Sequence, residues 1–151
     1  MRLPVVATCL LTVCAAFAEP NFGGEWKMNS AKSKFGGFPG PDRFDQKIVH
    51  QEPNITVTTT QAGQQGEFTF EAKYTTDGKE TTNKIGPGEL KSTGKWEGNL
   101  FHLVSKGSFN GNEFTLDDKW NLSEDGKTFT LNRKFSGQMG EAEQTIVLEK
   151  Q

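Results

Sequence analysis

The residue whose type and position most suggest chemistry is Arg133, which lies between Leu131 and Phe135 in an alternating segment. Successive side chains of a strand point to opposite faces, so the guanidinium shares the face of its two apolar neighbours. An arginine cannot shed its charge, and on an inward face it needs an anion beside it. The sequence therefore predicts an inward-facing cation with an anionic partner.

Two partners fit this requirement. An acidic amphiphile, such as a fatty acid, could place its carboxylate on Arg133. Alternatively, a turn over residues 123–126 would put Leu116 opposite Arg133 and Asp118 one diagonal away, within reach of an ion pair. The ion pair is favoured because inward charges are mostly paired. A paired guanidinium could still donate a hydrogen bond to a ligand.

The two histidines are predicted to lie on opposite faces of the sheet. A turn over residues 51–54 places His50 beside Ile55 on the inner face near one end. His50 could contact a ligand or serve as an axial haem ligand, but a hydrogen-bonded rim residue is favoured. His102 lies across from Lys95 on the solvent face, and two histidines on opposite faces do not form a metal site.

Catalytic motifs are absent from the sequence. It contains no nucleophile motif, no phosphate-binding loop and no Cys/His framework, since Cys9 and Cys14 both lie in the N-terminal segment. We expect a protein that is not an enzyme and that takes no cofactor and no metal. An enzyme using the mouth of the fold, with a carboxylate beside His50, is a weaker alternative.

The N-terminal residues have the pattern of an export signal. Arg2 precedes an apolar run over residues 5–16 that is too short to span a bilayer, and Ala16-Phe17-Ala18 fits a cleavage site. We expect residues 1–18 to be removed and residues 19–151 to form a secreted or periplasmic domain. A lipid-modified Cys14 is the disfavoured alternative, because Val13 before it is large.

The mature chain of about 133 residues is long enough for one domain. Without Arg2 it has 16 basic against 19 acidic side chains, a net charge near −3. The sequence has no basic patch of the kind that binds nucleic acid, and after residue 16 it has no apolar run long enough to cross a membrane. We expect a monomer without a transmembrane anchor.

The elements that must position Arg133 are strands. Apolar and polar residues alternate over residues 67–74, 114–121 and 128–135, and short Gly, Asn and Asp turns separate about ten such segments. No helical period is present, and the longest irregular stretch covers residues 30–42. Strands joined by tight turns bury their apolar faces together. The sequence predicts an all-β fold, a single antiparallel up-and-down barrel.

The turns also predict which residues face each other. A turn at Gly98-Asn99 puts Trp96 opposite Phe101, one at Asn110-Gly111 puts Leu103 opposite Asp118, and one at Asp77-Gly78 puts Tyr74 opposite Thr81 and Phe70 opposite Ile85. Each pairing puts the apolar residues of both strands on one face. With Arg133, Asp118 and His50, the predicted ligand-binding residues of this interior are Phe70, Tyr74, Trp96, Phe101, Leu103, Leu116, Trp120 and Leu131.

Three segments carry a family resemblance. Residues 21–30, NFGGEWKMNS, resemble the first-strand motif of the calycin superfamily, the lipocalins and fatty-acid-binding proteins. Residues 95–99 and 145–150 resemble the W-D-G turn and the closing strand of fatty-acid-binding proteins. The whole pattern is most similar to exported bacterial lipocalin-like proteins. One departure is that residues 30–42, rich in Gly and Pro, do not supply the two helices that fatty-acid-binding proteins place there.

The resemblance implies a carrier for a small hydrophobic ligand. It also implies that Trp26 closes one barrel end and that an interior arginine contacts the ligand's carboxylate. We therefore expect a non-catalytic binding protein for a small hydrophobic or amphipathic molecule. The alternative is a barrel with a filled interior that acts as an envelope structural or protein-interaction module.

Overall fold

The computed structural model describes residues 18–151, which form ten strands and no helix. The strands are β1 (Gly24–Met28), β2 (Arg43–Gln51), β3 (Asn54–Gly63), β4 (Gly66–Thr75), β5 (Asp77–Ile85), β6 (Gly88–Glu97), β7 (Leu100–Phe109), β8 (Asn112–Leu122), β9 (Thr128–Gly137) and β10 (Gly140–Lys150). The signal predicted over residues 1–18 lies, except for Ala18, outside the described residues.

The strands form one antiparallel sheet in the order β4-β3-β2-β1-β10-β9-β8-β7-β6-β5. The short strand β1 joins the two halves, because it pairs with β2 on one side and with β10 on the other. The predicted up-and-down barrel of ten strands is confirmed, and it is nearly closed. The remaining gap lies between β4 and β5.

The pairing predicted across Asp77-Gly78 is wrong. Tyr74 does not face Thr81, and Phe70 does not face Ile85, because β4 and β5 form the two edges of the sheet. β5 leaves β4 at once, since Asp77 pairs with Lys95 of β6 and a register shift follows before Glu80. A long-range pairing therefore overrides the local turn signal.

The registers predicted from the other two turns are confirmed. Trp96 lies opposite Phe101, and Leu103 lies opposite Asp118. His50 lies opposite Ile55, as the turn over residues 51–54 predicts.

The register predicted between β8 and β9 is wrong by two residues. Asp118 lies directly opposite Arg133, and Leu116 faces Phe135 instead. The cause is a connection longer than the predicted turn, in which the Ser123 amide donates to the Thr128 carbonyl. A shift of two residues keeps every side chain on its face, so Asp118 and Arg133 still share the interior.

The barrel has two different ends. At the closed end, with the turns at residues 52–53, 98–99 and 123–127, a buried aromatic cluster fills the interior. This closed-end cluster contains Phe22, Trp26, Phe101, Trp120 and Phe129, each at most 2% exposed, with His50 and Trp96 stacked against Phe22. Trp26, which the family resemblance places at one closed barrel end, belongs to this cluster. Leu103 and Leu131 belong to the same core, and Tyr74 packs against it.

The opposite, open end carries residues 30–42, which we call the strap. The strap runs beside β10, because Lys34 and Thr145 exchange two backbone hydrogen bonds of 2.7 and 2.8 Å. Phe35 packs against the core, and the Phe38 ring lies edge-on to Phe135 at 5.9 Å. The strap contains no helix, so the open end lacks the helical pair of the resembling family, as expected.

Candidate functional site

The central feature of the interior is the ion pair between Arg133 and Asp118. Arg133 Nε donates to Asp118 Oδ1 at 2.7 Å, and Nη2 donates to Oδ2 at 2.8 Å. Asp118 is 3% exposed, whereas 21% of the Arg133 side chain remains exposed. The structural ion pair favoured from the sequence is present. Burial opposes the charge of Arg133, but the Asp118 carboxylate outweighs it and raises the pKa of the guanidinium.

Tyr74 of β4 reaches the same level from the opposite wall. Its ring stands edge-on to Trp120 at 6.3 Å. Burial, followed by the negative charge of Asp118, raises the pKa of Tyr74, and Arg133 opposes this effect only in part. We call Arg133, Asp118 and Tyr74 the polar tier. It adds Tyr74, which the sequence placed in the interior without a link to the charges, to the predicted pair of Arg133 and Asp118.

Other polar groups lie on the inner wall around this tier. Ser92 and Ser105 share a 2.7 Å hydrogen bond, and Gln46 Nε2 donates to Thr59 Oγ1 at 3.3 Å. Two buried atoms, Gln46 Oε1 and Trp120 Nε1, have no hydrogen-bond partner among the described residues. These two fully buried atoms are an unused acceptor and an unused donor, and such groups are costly to leave unpaired.

The inner wall beyond the polar tier, toward the open end, is apolar and only half-buried. We call this region the vestibule; it contains Phe70, Phe114, Leu116 and Phe135. These residues occupy inward positions of their strands, yet solvent reaches all four. The interior is thus divided into a filled closed-end cluster and an accessible apolar vestibule, with the polar tier between them.

His50 does not take part in the polar tier. Its Nδ1 accepts a hydrogen bond from the Phe22 amide at 3.1 Å, so the ring proton lies on Nε2, which donates to Glu52 at 2.6 Å. Glu52 also accepts bonds from Thr76 and from Trp96. Both ring nitrogens are engaged, which leaves neither free to bind haem or a ligand head group.

The Glu52 carboxylate is held in its charged form by these contacts. Burial acts to raise its pKa, but the hydrogen bonds from Thr76 and His50 outweigh burial and lower it. Trp96 joins the same network through Nε1 at 3.2 Å. The predicted ligand residues His50 and Trp96 therefore lie in a hydrogen-bonded network at the closed end, whereas Arg133, Asp118 and Tyr74 lie together elsewhere.

The outer face carries a second group of charges. His102 lies opposite Lys95, as predicted, and bonds Glu97 through Nδ1 and Asp117 through Nε2, both at 2.8 Å. Partial burial acts to lower the pKa of His102, but the two carboxylates outweigh it and raise the pKa. Within residues 18–151, no three His, Cys, Asp or Glu side chains are arranged to hold a metal ion.

A groove of about 580 Å³ also lies outside the barrel, across β6 to β9. Charged side chains such as Lys91, Lys106 and Glu113 line it. Because these residues point away from the interior, the groove is separate from the polar tier. Over residues 18–151, no helix has the length and apolar character needed to cross a membrane.

Sequence reasoning missed part of the inner wall. Gln46, Thr59, Ser92 and Ser105 are buried on the inner face. The alternation of inward and outward positions along a strand, which identifies Arg133 as inward-facing, could also have identified these four residues. Gln46, for example, stands between Phe44 and Ile48 at the two-residue spacing of inward positions.

Three solved structures share this architecture. Zebrafish ileal bile acid-binding protein complexed with cholic acid is 20% identical over 86% of this chain and 98% of that chain, with a TM-score of 0.58. Secretory abundant heat soluble protein 4 from Ramazzottius varieornatus is 15% identical over 91% of this chain and 99% of that chain, with a TM-score of 0.55. The REP1-NXSQ fatty acid transporter is 14% identical over 86% of this chain and 98% of that chain, with a TM-score of 0.54.

These comparisons establish the class of fold. The neighbours are calycin-like barrels of the fatty-acid-binding-protein type, and the chain has the same ten-stranded, nearly closed architecture. No protein-family profile matches the chain, and no curated protein matches it in sequence. At 20% identity or less, the likeness concerns the fold.

Proposed function

We propose that this protein binds a small hydrophobic or amphipathic molecule inside its barrel and performs no chemistry on it. The observation that carries the proposal is the half-buried apolar vestibule above a buried polar tier. Apolar surface there is exposed to solvent although it faces inward, and covering it would be favourable by about 25 cal/mol per Å². The polar tier would orient the polar end of the molecule.

The neighbouring structures support this proposal. Two of them are named for hydrophobic ligands, a bile acid and fatty acids, and one is complexed with cholic acid. These names describe a binding protein and a transporter, in agreement with a chain that has no nucleophile motif. In this chain the vestibule would hold the apolar part of the ligand, and the strap would cover it.

We also propose that the protein is exported and monomeric, like the bacterial lipocalin-like proteins it resembles. The support is the signal pattern ending at Ala18. Intact mass of the protein recovered from its own host should correspond to a chain that begins at Glu19. A mass showing that the chain begins anywhere within residues 1–14, or a lipid on Cys14, would contradict export by this route.

Size-exclusion chromatography tests the proposed monomeric state and should give one chain per particle.

A filled barrel without a ligand is the second candidate. It is favoured by one observation, the closed-end cluster, in which the rings of Phe22, Trp120 and Phe129 lie 5.1 to 5.4 Å apart and fill that end of the interior. In this case the vestibule would bind nothing, and the protein would act through its outer surface.

One experiment separates the two candidates. An environment-sensitive apolar dye is titrated into the wild type, into Leu116→Trp and into Thr115→Trp. Leu116→Trp places an indole ring inside the vestibule. Thr115→Trp adds the same ring one residue earlier on β8, where the side chain points to the outer face of the barrel. We expect the wild type and Thr115→Trp to bind the dye and Leu116→Trp to lose at least about tenfold in affinity. Equal binding by all three proteins would place the dye outside the barrel.

A further inference from the structure

The polar tier carries no net charge. Asp118 neutralises Arg133 through two short hydrogen bonds, and within residues 18–151 neither side chain takes part in another ion pair. Tyr74, the third member, is a neutral phenol. An incoming carboxylate would therefore meet a neutral group of side chains and not a free guanidinium.

A carboxylate on this tier would also be the second negative charge beside one arginine. Like charges brought together out of water are strongly disfavoured, and the low exposure of Asp118 prevents water from screening the repulsion. The same surroundings act on Tyr74: burial, followed by the Asp118 carboxylate, raises the pKa of its hydroxyl, and Arg133 opposes this only in part.

The tier nevertheless offers hydrogen bonds to a neutral group. The Nη1 edge of Arg133 and the Tyr74 hydroxyl have no hydrogen-bond partner among the described residues. Beside Tyr74, in the closed-end cluster, Trp120 Nε1 is a buried donor without an acceptor. On the inner wall, Gln46 Oε1 can accept a hydrogen bond from a ligand. Hydroxyl, amide and ester groups match such donors and acceptors without adding charge.

We infer that the molecule bound in the barrel carries an uncharged polar head group, such as a hydroxyl, an amide or an ester, and not a carboxylate. The inference rests on the proposed function and specifies its ligand. Asp118 is thus a specificity-determining residue, because it cancels the charge that would select an acid.

The test compares three probes with the same hexadecyl chain: hexadecanol, hexadecanamide and hexadecanoate. Each competes with the apolar dye for the wild type at about pH 8, where the acid is ionised. We expect the alcohol and the amide to bind at least about tenfold more tightly than the acid. Tighter binding of the acid would overturn the inference and leave the proposed function intact. A wild type that binds neither the dye nor any of the three probes would overturn both.

Asp118→Asn provides the second arm, because it removes the neutralising charge and keeps the shape of the side chain. This variant should gain at least about tenfold in affinity for hexadecanoate, with little change for hexadecanol. The matched control is Asp117→Asn, which removes the same charge from the outer face and should leave all three affinities unchanged. Equal gains in both variants would show a general charge effect and contradict the role of Asp118. If Asp118→Asn does not fold, the wild-type ranking alone decides the question.

Discussion

Asn83 of β5 gives Lys73 of β4 the two hydrogen bonds that a neighbouring strand would otherwise have supplied. The Lys73 amide donates to Asn83 Oδ1 at 2.8 Å, and Asn83 Nδ2 donates to the Lys73 carbonyl at 2.9 Å. One buried side chain thus takes the place of a backbone ladder between the two edges of the sheet. The barrel is closed here by an amide group and not by strand pairing.

Asn83→Ala should open this gap. Both backbone groups of Lys73 lose their partner, and an unsatisfied polar group costs about 1–3 kcal/mol of stability. We expect a comparable loss in urea unfolding and faster hydrogen exchange of the Lys73 amide. Thr82→Ala, at the exposed neighbouring position, should change stability by less than about 0.5 kcal/mol. Unchanged exchange at Lys73 in Asn83→Ala would contradict the role assigned to Asn83.

The Arg133–Asp118 pair should show strong coupling in a double-mutant cycle. Asp118→Leu leaves a buried guanidinium without its anion, which should cost about 3 kcal/mol or more of unfolding free energy. Adding Arg133→Met removes the unpaired charge and should recover most of that loss, because apolar side chains of similar size replace buried ion pairs well. Additive losses in the double variant would show that the two side chains act independently.

Two phenylalanines of β7 should differ sharply in their contribution to stability. Phe101 is fully buried in the closed-end cluster, and Phe101→Ala should cost about 3–5 kcal/mol through lost burial and a cavity. Phe109, on the same strand but 56% exposed at the open end, serves as the control. Phe109→Ala should change the free energy of unfolding by less than about 0.5 kcal/mol. Similar losses for both would contradict the division of the barrel into two ends.

His102 should make stability depend on pH. Its folded pKa is raised, so its contribution is fully present below about pH 6.5, the unfolded value, and is lost as the pH rises through the folded pKa. The stability difference between the wild type and His102→Gln should therefore be larger at about pH 6 than at about pH 9, by about 1 kcal/mol for such a partly exposed pair. A difference that grows with increasing pH would contradict the two carboxylate contacts.

Much of the fold could be predicted because two-residue turns fix a register locally. Trp96, Phe101 and Leu103 were predicted on one face from their turns and alternation, and they lie there. The error between β8 and β9 left the interior unchanged, since a shift by two residues preserves the face of Asp118. The gap between β4 and β5 could not be predicted, because the pairing of Asp77 with Lys95 depends on the whole sheet.

The candidate site was predictable only in part. Arg133 and Asp118 were found because a charge at an inward position stands out in an alternating pattern. The alternation does not show that Tyr74 lies near this pair. Tyr74 belongs to a strand on the opposite wall, and its distance from Arg133 and Asp118 depends on how the barrel closes. His50 was placed correctly on the inner face, but its engagement with the Phe22 amide depends on a segment outside the strands.

The hydrogen bonds between the strap and β10 bear on the lifetime of any complex. The strap is held by the two backbone bonds of Lys34 with Thr145 and by Ser33 Oγ, which accepts from the Val147 amide at 3.0 Å. It can move away only when these bonds break together, so opening is a local unfolding event and not the swing of a hinged helix. A molecule beneath it would be released at the rate of that unfolding, and its residence time would shorten steeply with temperature and denaturant.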